Sequence, residues 1–317
     1  MLAGVAAAVI VILVGAYLLT RDTRTGLAGV SPNAVGVIDP SSNSLVAEVP
    51  VGIRPGPIAA GDDAIWVGNI DDQTLTRIDP STRSAAGTIS LDDRTPTGLA
   101  VGLGSVWVAH GLRGQVSRVD PQFGRVTGTT TVAGTAFGSP YGAVALDDET
   151  AWVVFGDSTL ARLNAGGRVL GRGVAGTQPA GVAVATGSVW VTNSGEASVQ
   201  RFNAETFREG PLRAFSAGTQ PTGIVSADGA IWVANAGDDF VTRIEPSSGR
   251  VLQVTVGAGP SALASGSGAV WVANTAAGTV SRIDPETNEV VATIEIGNAP
   301  AGVATAGGYV WVSVQAP

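Results

Sequence analysis

From residue 34 onward the chain alternates short apolar runs with turns rich in Gly, Pro, Asn and Asp, and no stretch keeps the 3.6-residue spacing of an amphipathic helix. The strongest recurring element is a Trp-Val pair. All seven tryptophans carry a valine directly after them, at Trp66, Trp107, Trp152, Trp190, Trp232, Trp271 and Trp311, spaced by 41, 45, 38, 42, 39 and 40 residues. Four-stranded propeller blades take about 40 to 50 residues, whereas helical repeats of this length would show helical periodicity.

Each period predicts the same four strands. Strand A follows an X-Pro turn, as in Pro96–Val101, Pro179–Val184 and Pro221–Val225; strand B is the Trp-Val strand, as in Ser188–Asn193. Strand C reads like Thr279–Pro285, whose closing Asp-Pro starts a turn, and strand D is a β-branched run such as Val290–Ile296. The last period stops after strand B, while Val35–Pro40 and Leu45–Pro50 match strands C and D with no A and B before them. The two incomplete ends make one blade. The expected fold is all-β: a seven-bladed β-propeller over residues 34–317, its ring closed by pairing the N-terminal strands with the C-terminal ones, which also removes exposed sheet edges.

Trp190–Asn193 (WVTN) and the WVAN runs at 232–235 and 271–274, each followed by a V-x-R-I/F strand or a close variant, resemble the YVTN-repeat propellers, the group of the YncE-like proteins and virginiamycin B lyase. The resemblance spans residues 34–317 and is specific for fold. For virginiamycin B lyase-like enzymes it implies a histidine base and a metal held by carboxylates; for YncE-like proteins it implies DNA binding.

Ahead of the repeats, residues 2–19 form an uncharged apolar stretch that would rise about 27 Å as a helix, close to a hydrocarbon core. It has neither a basic leading region nor a clear small-x-small cleavage site, so residues 1–20 are expected to be one uncleaved N-terminal transmembrane helix, with 21–33 a polar linker. Arg21 and Arg24 follow the stretch and, read alone, would hold the propeller in the cytoplasm. A basic region upstream in a longer chain would reverse that sign, and the expectation taken here is a membrane-anchored, extracytoplasmic propeller.

Composition narrows the chemistry. With 44 Gly, 17 Pro and only 14% charged residues, the chain suits many short strands, and the absence of cysteine excludes disulfides and thiolate sites. The net charge of −8 argues against a phosphate-backbone binder, so nucleic acid is not an expected partner. The single histidine, His110, stands where other periods have Asn69, Asn193, Asn235 and Asn274. It is a general-base candidate only if the lyase alternative holds, since nothing in the sequence supplies an orienting partner. The strand-C arginines Arg77, Arg118, Arg162, Arg201, Arg243 and Arg282 recur too regularly for a ligand site and are expected to order blades and turns. The tryptophans are expected to be interblade core.

Propeller function sits where repeats differ, on the face of D-to-A and B-to-C loops around the channel mouth. The longest interval between tryptophans holds Phe137 and Tyr141, and Phe155 replaces the repeated asparagine there. The ligand-facing set expected from sequence is therefore His110, Phe137, Tyr141, Phe155, Asn69, Asn193, Asn235 and Asn274. The acids Asp71, Asp72, Asp238 and Asp239 on that face would suit Ca²⁺ or Mg²⁺, but adjacent acids in turns are ordinarily just solvated and no EF-hand spacing is present, so no cofactor is expected. The expected function is binding or sensing of a peptide, glycan or small molecule at the mouth rather than catalysis, with a virginiamycin B lyase-like metal-assisted lyase or hydrolase as the alternative and YncE-like DNA binding as the second alternative.

Overall fold

The computed structural model describes residues 26–61, 63–134, 141–207 and 209–317, without the side chains of 209–213. The described residues form seven four-stranded sheets. The expected helix over residues 1–20 lies outside them. Among the described residues no helix is long and apolar enough to cross a membrane, and the one helical turn is the 3₁₀ turn Gly111–Arg113.

The first blade is Pro55–Gly61, Ala64–Asn69, Thr74–Asp79 and Ser84–Ser90, as strands A to D, and five more blades follow in order with strand A beginning at Gly98, Gly142, Pro179, Pro221 and Pro260. The seventh blade joins the two ends of the chain. Its strand order is Ser44–Pro50, Ala34–Asp39, Tyr309–Gln315, Ala299–Ala306, with Val35 opposite Ser313 and Val37 opposite Trp311. The expected closure is therefore present.

Part of the expected linker is packed rather than free. Val30 is 2% exposed, its amide donates to the Ile296 carbonyl, and its own carbonyl accepts from Asn298 Nδ2 at 2.8 Å. Gly36 makes room for it, since a Cβ there would lie 2.6 Å from Val30 Cγ2. Residues 26–33 thus form a strap across the closing blade, with Ser31 donating to the Glu48 carboxylate.

Strand B is buried along its whole length in most blades, as a central strand covered on both faces must be. Each tryptophan sits between blades. Trp66 packs with Val106, Val108 and Val119 of the second blade, Trp190 with Ile231 and Val233 of the fifth, and Trp311 with Ile65 and Val67 of the first. All seven are fully buried.

The strand-C arginines complete these seams. Their guanidinium carbons lie 5.1 to 6.0 Å from the ring centres of the tryptophans of their own blades. Several then reach onward to a turn carbonyl of the next blade: Arg162 to Ala204 at 2.8 Å, Arg201 to Pro246 at 3.0 Å, Arg282 to Pro40 at 2.7 Å. The acids two residues later do not pair with them. Asp79, Asp120 and Asp284, like Asp39 of the arginine-less seventh blade, instead accept amide hydrogens of their own C-to-D turns, and bonds from Ser41 and Ser81 hold the Asp39 and Asp79 carboxyls below the usual carboxylate range. The seventh blade has Val37 where the arginine belongs, and the seam is bridged in reverse: Arg83 of the first blade stacks on the Tyr309 ring and donates to its hydroxyl.

Candidate functional site

At one end of the disc the D-to-A and B-to-C loops lie against each other and are fastened by a repeated lock. The Asn that ends strand B accepts an amide hydrogen from a glycine of the preceding D-to-A loop: Gly52 to Asn69, Gly176 to Asn193 and Gly218 to Asn235, at 3.0 to 3.1 Å. Its amide group donates to hydroxyls or carbonyls of strand C, as Asn69 does to Thr74 and Thr76 and Asn274 to Thr279 and Ser281. A Cβ on Gly176 would lie 2.7 Å from Asn193 Cγ, so glycine is required by close approach. Asn69, Asn193, Asn235 and Asn274 are 0% exposed. Asn69, Asn193 and Asn235 are thus closed into the loop lock, and Asn274 is buried with only its strand-C bonds to Thr279 and Ser281, its Oδ1 left without a partner; none of the four offers surface to a ligand. The sequence signal for the lock is the glycine 17 residues before Asn69, Asn193 and Asn235, at 52, 176 and 218.

A second clasp lies beside the first. Asp72, Glu196 and Asp238 accept the amides of Ile53, Thr177 and Thr219, each 19 residues earlier. The bonds from Thr177 hold the Glu196 carboxyl below its ordinary range. Asp71 pairs with Arg54 at 2.8 Å. Of the metal-ligand candidates, Asp71, Asp72 and Asp238 are therefore engaged with their own loops, and the Asp239 carbonyl accepts from Val256. Among the described residues no three His, Cys, Asp or Glu side chains converge as a metal-holding group.

His110 takes the asparagine's place in the second blade. Its Nδ1 lies 3.1 Å from the Thr95 carbonyl and its Nε2 2.9 Å from Ser117 Oγ, with the ring 1% exposed. A carbonyl can only accept, so Nδ1 carries the proton and Nε2 accepts from Ser117. Burial, and then the nearby Arg94 and Arg113, outweigh the Thr95 bond and push its pKa down to about 4. No carboxylate orients it. Phe155 is likewise fully buried, packed with Trp107, Ala109 and Val116 across the seam with the second blade. Phe137 lies outside the described residues.

Tyr141 is the expected residue that reaches the mouth. It lines a cleft of about 400 Å³ with Arg54, Pro57, Ile70, Pro96, Leu112 and Gln315, together with Thr95 and Thr97. The cleft shares Pro57, Ile70, Thr97 and Gln315 with the mouth of the central channel, a further 380 Å³ lined by small and aliphatic residues from the start of strand A in each blade. Neither cavity has an acidic lining residue, and the one cation, Arg54, is paired with Asp71. Leu112, half-exposed on the 3₁₀ turn, was missed from sequence; its signal is that Gly111–Arg113 interrupts the acid-bearing turn found after strand B in the first, fourth and fifth blades.

No protein-family model matches the chain, and no curated protein matches it. Among solved structures, the Kuenenia stuttgartiensis hydrazine synthase is similar at 15% identity and a TM-score of 0.73, covering 82% of this chain and 92% of that one. A streptogramin B lyase is similar at 19% identity and a TM-score of 0.70, over 82% of this chain and 90% of its own. A catalytically inactive virginiamycin B lyase from Staphylococcus aureus, with a histidine replaced by alanine and with quinupristin, is similar at 16% identity and a TM-score of 0.68, over 81% and 94%. At these identities the likeness is one of fold. The chain is a seven-bladed β-propeller with the architecture of the virginiamycin B lyase-like propellers.

Proposed function

We propose that this propeller is a recognition module that binds an uncharged apolar group in the mouth cleft between the first and third blades and does no chemistry on it. The observation that carries the reading is the cleft itself: a concave, mainly apolar surface of Pro57, Ile70, Pro96, Leu112 and Tyr141 with a few polar groups at its rim, the usual form of a ligand site. Against catalysis stands His110, which edges a smaller cavity beside Leu112 but is 1% exposed, bonded at both ring nitrogens and without a carboxylate hydrogen-bond partner. The test is a thermal-shift screen with neutral aromatic and prolyl amides, with and without Ca²⁺, on the wild type and on Leu112→Ser. Hits should raise the wild-type Tm and lose that shift in the variant. Hits that ignore Leu112→Ser would place binding elsewhere. The lyase alternative is tested with quinupristin, for which no turnover is expected; turnover abolished in His110→Asn would overturn the binding-only reading.

The same proposal makes the module part of an anchored sensor, with residues 2–19 in the membrane and the propeller extracytoplasmic. Fractionation of the full chain against residues 26–317 tests the anchor, and protease accessibility of the propeller in intact cells tests its side.

A further inference from the structure

The charges around the mouth are unevenly placed. Its loops carry eight acids, Asp71, Asp72, Asp92, Asp93, Asp157, Glu196, Asp238 and Asp239, against three arginines, a surplus of five negative charges. All three arginines, Arg54, Arg94 and Arg113, belong to the first two blades or the loops entering them, beside the cleft, and each is bonded to neighbouring loop atoms. The third to fifth blades contribute Asp157, Glu196, Asp238 and Asp239 with no base in their mouth loops. By ring order the fourth and fifth blades face the first across the channel. One side of the mouth is thus apolar and nearly balanced in charge, and the other is purely acidic.

Accepting the cleft as the binding site, we infer that its ligand is an extended cationic peptide, with one apolar side chain seated against Leu112, Pro96 and Tyr141 and basic side chains lying over the acidic arc. The cleft has no acidic lining residue and its one cation, Arg54, is already paired with Asp71, so it would strand a buried cation and the two features must be met by different groups of one ligand. An extended chain adds about 3.3 Å per residue, so charges several residues from the apolar anchor can reach across the channel. Glu196 and Asp238 cap loop amides, and the field of carboxylates around the channel mouth favours cations at long range.

The probe is the acetylated, amidated peptide Ser-Leu-Ser-Gly-Arg-Gly-Arg, compared with forms carrying Glu for Arg or Ser for Leu, titrated calorimetrically at low and high salt. The arginine peptide should bind at least about tenfold more tightly than the glutamate peptide at low salt, with the gap closing at high salt. The Leu-to-Ser peptide and the Leu112→Ser protein should each bind more weakly, and the double variant Asp157→Asn with Asp239→Asn should weaken the arginine peptide alone. Equal binding of the arginine and glutamate forms would overturn the cationic assignment and leave the cleft standing. Binding of no peptide, alongside neutral amides that still depend on Leu112, would overturn the peptide and keep the site. Failure of the neutral amides as well would remove the cleft.

Discussion

Position 110 holds a histidine where the equivalent positions of four other blades hold asparagine, and the lock survives because an imidazole can also present one donor and one acceptor. The difference is that imidazole titrates. Its folded pKa of about 4 lies below the unfolded value near 6.5, so on acidification the unfolded chain takes up the proton first. The contribution to stability is complete above pH 6.5 and is lost as the pH falls from there through 4, reaching about 2 to 3 kcal/mol by pH 4.5. His110→Asn installs the sibling residue and removes that titration. Urea unfolding at pH 7.5 and pH 4.5 should therefore show a smaller acid loss in the variant than in the wild type. Carboxylates held low by loop hydroxyls and then amides, such as Asp39, Asp79 and Glu196, weaken both proteins alike and cancel in the comparison. Equal acid loss in the two would mean that the buried ring is not kept neutral.

The loop lock is also where an element depends on one missing atom. Gly176→Ala would put a Cβ 2.7 Å from both Asn193 Cγ and Glu196 Oε2, forcing apart the two loops that shape the mouth. Gly87 lies in an outer strand with nothing within 4 Å of an added Cβ, so Gly87→Ala is its control. Thermal melts should place Gly176→Ala roughly 1 to 3 kcal/mol below the wild type and Gly87→Ala level with it or slightly above. Comparable losses in both would show that the loops absorb the methyl group. This element also marks the limit of what could be read from residues alone. Turn residues punctuate the chain and Trp-Val repeats at blade length, so strand Ser188–Asn193 was legible to the residue and the run Thr279–Pro285 to within its closing proline. Side-chain direction in strand B was not. Because that strand is buried on both faces, apolar and polar positions do not alternate, and Asn193, His110 and Phe155 read as mouth residues when they point into the fold. The cleft was only partly legible, through Tyr141, because Leu112 owes its exposure to a single 3₁₀ turn and not to any repeated pattern.

At the scale of the whole ring, stability depends on joining chain ends that are far apart in sequence. Strand Ala34–Asp39 pairs with Tyr309–Gln315, Arg282 donates to Pro40 and Asn43 in the turn beyond it, and the strap of residues 26–33 bonds across the same blade. Without residues 26–50 the seventh blade would keep two strands. The backbone edge of Tyr309–Gln315 would lie open beside Val310, Val312 and Val314, all fully buried in the intact ring. An open apolar edge is a template for pairing with another chain. Residues 51–317 should therefore run as aggregates on size exclusion, while residues 26–317 run as a single species. Adding a synthetic peptide of residues 26–50 during refolding should rescue the shorter chain, because the peptide brings both missing strands, the strap and the Pro40 carbonyl. A monodisperse 51–317 with an unchanged melting temperature would mean that the interblade tryptophans and arginines hold the disc without closure. Rescue by a scrambled peptide of the same composition would mean that any apolar strand can cover the edge, and that the register of Val37 against Trp311 is not what closes the ring.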